Sequence, residues 1–214
     1  MKRQAGFSLT ELLVVLAIIL IVGSLSIPTF SRSIDSARLK TASQQIASIY
    51  QQGRNLATRD DTFHELLVSA PLNGPAQICV DVDGDAACEA SEPQIQLPAQ
   101  VQLISTGVPV ELDSATLGFS PLAASSTTYN QQNIGVHALA WNGRGLPCQR
   151  TSTTSGCSNW TTTPAGAGSV AWVQYLQMPQ TSGTVAYAAV TVSPTGRIRT
   201  WTYASGQNGG GSWF

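Results

Sequence analysis

Two arginines and two aromatic residues alternate near the end of the chain, and they are the residues best suited to bind a ligand. Arg197, Arg199, Trp201 and Tyr203 occupy every second position after Gly196. In a regular strand these four side chains lie on one face. Guanidinium groups beside aromatic rings suit phosphate groups and stacked bases. The alternative is an edge strand whose arginine heads are solvated and whose aromatic side chains pack beneath the C-terminal tail. A one-residue bulge at the preceding turn would also redistribute the side chains.

Three aspartates at alternate positions form a second candidate site. Asp81, Asp83 and Asp85 carry carboxylate oxygens, which Ca²⁺ prefers as ligands, and Glu92 follows eleven residues after the first of them. The order departs from an EF-hand loop, because Gly84 precedes the third aspartate and a cysteine interrupts the loop. Asp-Gly pairs also form ordinary turns. The pattern therefore favours a solvated acidic turn, with a calcium site as the alternative and no other cofactor indicated.

The four cysteines fall into two pairs with the same spacing, Cys79 with Cys88 and Cys148 with Cys157. Pairing between nearest neighbours would close two loops, each contributing roughly 2–3 kcal/mol in the chain-entropy model. Four cysteines allow three connectivities, and the sequence does not choose among them. A zinc site is the alternative to disulfides, but the spacing is wide and no histidine lies nearby.

Motifs for catalysis are weak in this chain. His64 and His137 are the only histidines, and neither lies in a metal-binding or triad-like pattern. The glycine-rich stretch 142–145 lacks the following helix that a phosphate loop needs, so we expect a turn there instead. We therefore expect that the protein is not an enzyme.

Charge is distributed unevenly along the chain. Only 11% of residues are charged and 43% are apolar, which argues against a disordered chain. Residues 1–59 carry seven Lys or Arg and two acids, residues 60–113 carry ten acids and no Lys or Arg, and residues 114–214 carry four arginines and no acid. The net charge of −1 therefore says little about partners, and each segment must be considered separately.

The chain starts with a basic leader and a long apolar run. Lys2 and Arg3 precede Gly6, and the apolar run continues almost to Pro28. As a helix, residues 7–27 would span roughly 31 Å, about one hydrocarbon thickness. Because the small residue lies before the run, cleavage after Gly6 would leave the helix on the mature protein, unlike cleavage of a secretory signal. The basic leader predicts a cytoplasmic N-terminus, with the bulk of the chain across the membrane.

Glu11 is a carboxylate just inside this apolar run. An acid at such a position is costly and is usually retained because a partner lies nearby. One possibility is that its side chain reaches the membrane interface. The other is that Glu11 pairs with a freed N-terminal amine on a neighbouring copy, so that both charges are neutralised in lipid or inside a fibre.

This start resembles the prepilin signature of type IV pilins and type II secretion pseudopilins, with the run Gly6-Phe7-Ser8-Leu9-Thr10-Glu11-Leu12 followed by an apolar helix and Pro28. The resemblance implies cleavage after Gly6 by prepilin peptidase, methylation of the new N-terminus at Phe7, and a role for Glu11 in docking the subunit into a growing pilus. It also implies a single-pass protein of the bacterial inner membrane that assembles with other subunits. Its globular part would lie in the periplasm, where disulfides persist.

The rest of the pattern predicts an α+β fold, in which a long N-terminal helix packs on an antiparallel β-sheet domain. After the leader, 1–6, and the membrane segment, 7–28, apolar residues at three-four spacing predict an amphipathic helix over 29–60, with a solvated basic face. A β-rich domain over 61–204 and a flexible tail over 205–214 follow, with Trp213 and Phe214 as the residues that could hold the tail in place. Strands are predicted over 77–80, 101–105, 116–119, 135–141, 169–176, 184–192 and 196–203, with a type I turn at 193–196.

This plan, with its last hairpin, resembles the GspH/FimT branch of the pilin-like proteins. The residues Gly196-Arg197-Ile198-Arg199 are similar to the GRxR motif with which FimT-type minor pilins bind DNA during natural transformation. The resemblance implies a minor pilin or pseudopilin, a structural subunit of a type II secretion pseudopilus or a type IV pilus. The alternative function that it implies is binding of duplex DNA through Arg197 and Arg199.

Overall fold

A single long helix, α1 (Leu9–Asp60), begins the folded chain. The computed structural model describes residues 8–69, 75–123, 139–150, 157–159, 170–180, 183–205 and 211–214. The 52 residues of α1 correspond to roughly 78 Å of helix. The helix ends at Asp61, whose backbone is left-handed and whose amide donates a hydrogen bond to the carbonyl oxygen of Ala57. The two predicted helical segments are therefore continuous.

The two halves of α1 differ in their surroundings. Between Leu9 and Val22 the large apolar side chains are 47–80% exposed. The second half packs against the rest of the protein through Ala42, Ile46 and Ile49 of the predicted apolar stripe, together with Leu39, Tyr50 and Ala57, which the stripe did not include. Ile34 and Ala37, which the same spacing predicted to be buried, are exposed, so the prediction of the stripe is wrong at its start. Within the part of the chain that the structure describes, no helix is long and apolar enough to cross a membrane.

Two sheets follow, and their strands are mostly antiparallel. The elements after α1 are β1 (His64–Ser69), β2 (Gln77–Asp81), β3 (Gln94–Gln96), β4 (Gln102–Ile104), α2 (Ser114–Leu117), β5 (Ser120–Ala123), β6 (Ala140–Trp141), β7 (Pro147–Arg150), β8 (Cys157–Asn159), β9 (Val170–Pro179), β10 (Val185–Val192), β11 (Ile198–Ser205) and β12 (Gly211–Trp213). The first sheet has the order β3-β2-β1-β6-β7-β8. The second sheet has the order β12-β11-β10-β9-β4, with β5 parallel to β9. The predicted α+β class with antiparallel sheets is confirmed.

One hydrophobic core joins α1 to both sheets. It contains Ile46 of α1, Val80 of the first sheet and Val190 of the second. A smaller cluster, around Tyr175 and Ala189, includes residues of the opposite face of the second sheet. Because side chains alternate along a strand, Ala189 and Val190 point to opposite faces. The second sheet therefore has an inner face on α1 and an outer face that is free to build a site.

Most predicted strands are present, with bounds that differ by a few residues. The prediction of a strand over 116–119 is wrong, because α2 occupies this region. Asp113 caps α2 by accepting a hydrogen bond from the amide of Thr116 at 2.8 Å, and Gly118 ends it in the left-handed conformation, at φ 76°. Of the run 135–141, residues 140–141 form β6, and residues 135–138 lie outside the described residues.

The last residues of the chain are not flexible, and Trp213 holds them as the alternative to a flexible tail predicted. Strand β12 pairs with β11, with Trp213 opposite Tyr203. The indole Nε1 of Trp213 also donates a hydrogen bond to the carbonyl oxygen of Val110 at 2.8 Å. Backbone pairing and a large aromatic side chain therefore hold this segment, whereas residues 206–210 lie outside the described residues.

Both disulfides join nearest neighbours in the sequence. Cys79 bonds to Cys88 and Cys148 bonds to Cys157, with Cα–Cα distances of 5.7 and 5.5 Å. All four thiols are therefore used, and the zinc alternative is wrong.

Candidate functional site

Ser8 caps the start of α1 and places Glu11 in its first turn. The Ser8 Oγ accepts a hydrogen bond from the Glu11 amide at 3.2 Å and lies 2.9 Å from the Thr10 Oγ1. The spacing of Ser8 and Glu11 is that of a capping box, a sequence signal for a helix start that is independent of the prepilin pattern. A carboxylate is favoured there by the positive end of the helix dipole. Gly6 and Phe7 lie outside the described residues.

The exposed apolar segment, residues 9–22 of α1, is the first candidate surface. Its apolar side chains surround the helix instead of forming one stripe. A helix that is apolar on all sides is stable inside a larger assembly or in lipid. Burying each large side chain contributes about 1.5–3 kcal/mol. This segment therefore needs a covering that its own globular domain does not supply, and the side chains that need it are Leu9, Leu12, Leu13, Val14, Val15, Leu16, Ile18, Ile19, Leu20, Ile21 and Val22.

A basic groove on the outer face of the second sheet is the second candidate surface. It has a volume of about 250 Å³, and its lining residues are Leu117, Phe119, Ala171, Thr191, Ser193, Thr195, Arg197, Arg199 and Trp201. Within it the Cζ of Arg199 lies 5.8 Å from the centroid of the Trp201 ring, a cation–π contact. The indole Nε1 of Trp201 donates to the Oγ1 of Thr191 at 2.9 Å. The guanidinium is thus held in place over a fixed ring.

The fourth residue of the predicted row, Tyr203, lies outside this groove. Its ring centroid is 5.3 Å from that of Trp213 and 6.2 Å from that of Tyr187. Trp213 belongs to β12, in the C-terminal tail, so Tyr203 packs beneath the tail as the alternative interpretation of the row predicted. The structure therefore brings together Arg197, Arg199 and Trp201, and it places Tyr203 in a separate aromatic cluster.

The turn before Arg197 contains the bulge that the sequence left open. Gly196 donates from its amide to the Ser193 carbonyl oxygen at 2.8 Å and has a left-handed backbone, at φ 81°. The Ser193 amide donates to the Arg197 carbonyl oxygen at 2.9 Å, and pairing resumes with Val192 opposite Ile198. A turn followed by a left-handed glycine is a common three-residue hairpin connection. The bulge does not separate the two arginines, since both line the groove.

Arg54 of α1 anchors this hairpin from below. Its Nη1 donates to the Gly196 carbonyl oxygen at 3.1 Å, and its Cζ lies 5.9 Å from the centroid of Trp141. The predicted solvated basic face is therefore wrong for Arg54. A second turn meets the same place, because a Cβ on Gly196 would lie 2.9 Å from the carbonyl oxygen of Gly145. The turn predicted at 142–145 is confirmed by a bond from the Gly145 amide to the carbonyl oxygen of Asn142 at 2.8 Å.

The acidic loop, residues 81–92, is built around two buried carboxylates. Asp81 accepts from the amides of Gly84 at 2.6 Å and Ala86 at 3.1 Å, and burial raises the pKa of its carboxyl. Glu92 accepts from the amides of Val82 at 2.7 Å and Glu89 at 3.2 Å. Glu92 therefore holds the two sides of the loop together, a role that its distance in sequence from Asp81 did not indicate.

The three aspartates come close enough to share one cation, with ligand atoms within 4.8 Å of one another. Their carboxylate oxygens already accept hydrogen bonds from backbone amides of the loop. Both oxygens of Asp81 accept amide hydrogen bonds, and Asp83 and Asp85 each accept one, from the amides of Asp85 and Ala87. Asp83 and Asp85 are exposed. These bonds support the predicted acidic turn, and calcium binding stays the alternative to it.

His64, the first residue of β1, has a structural role beside the end of α1. It is buried, and its Nε2 lies 3.1 Å from the Oδ2 of Asp60. Asp60 also accepts two hydrogen bonds from Arg59, at 2.7 and 3.1 Å. The bonds from Arg59 and then His64 lower the pKa of Asp60. His137 lies outside the described residues.

Comparison with known proteins identifies the start of the chain. Residues 1–27 match the family model of the prokaryotic N-terminal methylation motif. The chain therefore carries the N-methylation motif of type IV pilin-like prepilins, which confirms that part of the resemblance. The match ends before the globular domain and does not bear on the GspH/FimT branch. No curated protein and no solved structure matches the chain.

Proposed function

We propose that this chain is a non-catalytic subunit of a pilin-like fibre, a minor pilin or pseudopilin of a type IV pilus or a type II secretion pseudopilus. The observation that carries the proposal is the methylation motif at residues 1–27, which includes the exposed apolar segment. Other subunits or lipid would cover this segment. The motif implies processing by prepilin peptidase and assembly with other pilin-like subunits.

The N-terminus would act in three steps. The apolar segment that follows the leader anchors the chain in the inner membrane as a single-pass protein, with the globular domain in the periplasm. Cleavage after Gly6 frees the amine of Phe7, which is then methylated. Glu11 of one subunit next pairs with the amine of a neighbour, because a carboxylate among apolar side chains is stable only when its charge is compensated. The capped first turn supports this role, since it keeps Glu11 close to the start of the mature chain.

Mass spectrometry of the chain from its native host tests the processing. We expect a mature protein that starts at Phe7 and carries one additional methyl group. A Gly6→Val variant should keep its leader, because a β-branched side chain replaces the smallest residue at the cleaved bond, whereas Ala5→Val serves as the matched control. A chain that retains residues 1–6 in its native host would refute the proposal.

Fibre incorporation tests Glu11. Glu11→Gln keeps the shape of the side chain and removes its charge, so we expect a severalfold loss of subunit from sheared or pelleted fibres. Glu111→Gln makes the same change at an exposed position of the globular domain and should have no effect. Equal incorporation of both variants would show that Glu11 does not act through charge pairing.

Binding of duplex DNA is the second candidate function, and the shared groove of Arg197 and Arg199 favours it. Two arginines neutralise few phosphates, so the binding would be weak and sensitive to salt. The test is fluorescence anisotropy of labelled duplex DNA with the full chain in detergent. Arg197→Ala/Arg199→Ala should abolish the binding, and Lys40→Ala, at an exposed position on α1, should leave it intact. Unchanged binding in the double variant would exclude the groove.

A further inference from the structure

We propose that the basic groove of one chain docks the acidic loop of a second copy, so that neighbouring subunits touch side by side. The inference rests on the proposed function, because it requires an assembly in which copies of the chain adjoin. It identifies a partner surface that the methylation motif does not specify.

The acidic loop is rigid and presents charge outward. The Cys79–Cys88 disulfide ties one end of the loop to β2, and the amide bonds to Asp81 and Glu92 hold its backbone. The side chains left on the surface include Asp83, Asp85 and Glu89. Because the loop is already ordered, docking it costs little conformational entropy.

The basic groove is its chemical complement. Arg197 and Arg199 are exposed, and the contact with Trp201 keeps one guanidinium in place. Guanidinium groups bind carboxylates with paired, charge-assisted hydrogen bonds. The hydroxyls of Ser193 and Thr195 lie 2.9 Å apart on the wall of the groove and hydrogen-bond to each other, which leaves one hydroxyl proton of the pair for a carboxylate. Residues 114–214 contain no acid that could compete for these arginines locally.

Neither set of charges is neutralised by an ion pair among the described residues. The ion pairs there lie at the ends of the packed half of α1 and include neither groove arginine. Asp83 and Asp85 likewise form no ion pair in this part of the chain. Both surfaces therefore carry charge that a second copy can neutralise.

Both surfaces lie near the end of α1 that is remote from the exposed apolar segment. Asp81 pairs with Glu65 at the start of β1, just after α1 ends. The groove hairpin is bonded to Arg54, in the last two turns of α1. Their location near the same end of α1 fits neighbours whose helices run parallel, as packing of their apolar segments would require. A contact that uses a different patch on each copy produces an open helical array when its rotation does not close into a ring.

The contact would set the register of the subunits more than their affinity. Exposed ion pairs contribute little and are screened by salt. Packing of the apolar segments holds the subunits together, and it raises the effective concentration of the two patches. Charge complementarity then selects the correct neighbour and its orientation.

Photo-crosslinking between isotope-labelled copies tests the proposal. The full chain, with benzoylphenylalanine in place of Thr195 at the lip of the groove, is mixed with a ¹⁵N-labelled copy in lipid vesicles and irradiated. We expect crosslinked peptides of mixed isotope composition that join the groove to residues 82–91. Their yield should fall several-fold when the salt concentration is raised about tenfold. A crosslink to another segment, or one that is insensitive to salt, overturns the proposal.

Charge reversal tests the pairing itself. Arg197→Glu/Arg199→Glu and Asp83→Arg/Asp85→Arg should each reduce the yield about fivefold or more, and mixing the two variant chains should restore it. Glu111→Arg, an exposed acid outside the loop, is the matched control. Asp83→Asn/Asp85→Asn keeps an oxygen for the loop amides, so its loss of crosslink cannot be attributed to unfolding of the loop.

Failure of this inference differs from failure of the proposed function. A crosslink that survives both reversals, or that is not restored by the mixture, overturns the docking even if the chain is still cleaved, methylated and incorporated into fibres. Loss of processing in the native host would instead refute the fibre subunit. Added duplex DNA should not displace the crosslink, and complete displacement would assign the groove to nucleic acid.

Discussion

The Arg54 guanidinium donates a hydrogen bond to the carbonyl oxygen of Gly196 at 3.1 Å, across 142 residues of chain. This bond ties the long helix to the hairpin that carries Arg197 and Arg199. The ring of Trp141 lies against the same guanidinium. The orientation of the groove therefore depends on a residue that lies on a different element.

Replacing Arg54 should destabilise the domain. Arg54→Ala removes a charge-assisted hydrogen bond and a cation–π contact, so we expect a loss of about 1.5–3 kcal/mol in the free energy of unfolding. Thermal unfolding followed by circular dichroism measures the change. Lys40→Ala is the control, because Lys40 is exposed on α1 and belongs to none of the ion pairs among the described residues. Equal melting temperatures for the two variants would contradict the anchoring role.

Gly196→Ala should destabilise the protein more than Gly183→Ala. Both glycines have φ 81°, so each substitution costs about 1–2 kcal/mol from the left-handed backbone. A Cβ at Gly196 would also lie 2.9 Å from the carbonyl oxygen of Gly145, whereas a Cβ at Gly183 has nothing within 4 Å. The difference between the two free energies of unfolding measures the crowding at Gly196, to which Gly145 contributes the closest atom and Arg54 and Trp141 contribute atoms at 3.3 and 3.4 Å. Equal losses would show that the turns can separate freely.

Calcium should leave the stability unchanged. Both oxygens of Asp81 already accept amide hydrogen bonds, and the other two aspartates are exposed, so we expect no shift in melting temperature with millimolar Ca²⁺. The measurement compares the melting temperature with Ca²⁺ and with a chelator. A rise with Ca²⁺ that Asp83→Ala removes would establish a cation site instead.

Lowering the pH should reduce the free energy of unfolding, because it protonates Asp60 at the end of α1. The bonds from Arg59 and His64 hold the pKa of Asp60 below its ordinary value of 3.8. A carboxyl with a lowered pKa in the folded state stabilises that state above its ordinary pKa, and this contribution is lost as the pH falls through the lowered value. Asp60→Asn should therefore remove part of the acid-induced loss of stability seen in pH titrations of unfolding. The neighbouring exposed Asp61→Asn is the control, and an identical acid limb in wild type and Asp60→Asn would contradict the assignment.

Local patterns predicted the elements whose signals are periodic. The three-four stripe through Ala42, Ile46 and Ile49 predicted the packed half of α1, and the Ser193–Gly196 turn predicted the β10–β11 hairpin. The strand predicted over 116–119 was wrong because the apolar run hid a capping aspartate three residues upstream, at Asp113. A short apolar run does not by itself distinguish a strand from a helix turn.

Features that depend on distant residues were not predicted. The role of Arg54 follows from contacts with Gly196 and Trp141, which no local spacing indicates. The division of the strands into two sheets, and the parallel pairing of β5 with β9, likewise depend on long-range register. For the groove, alternation correctly grouped Arg197, Arg199 and Trp201, but Tyr203 was drawn away by Trp213 of β12.

The Ser8 cap has a consequence for growth of the proposed fibre. Trimming after Gly6 would place a cationic amine one residue before the cap, where the helix dipole is already positive. N-methylation leaves an amine able to carry that charge, so the imbalance persists after modification. Each chain would then hold, within one turn, both the cation that seeks a carboxylate and the carboxylate that the following chain requires. Every arriving subunit would complete one such pair and open another, which makes elongation repeatable from a single short stretch of sequence.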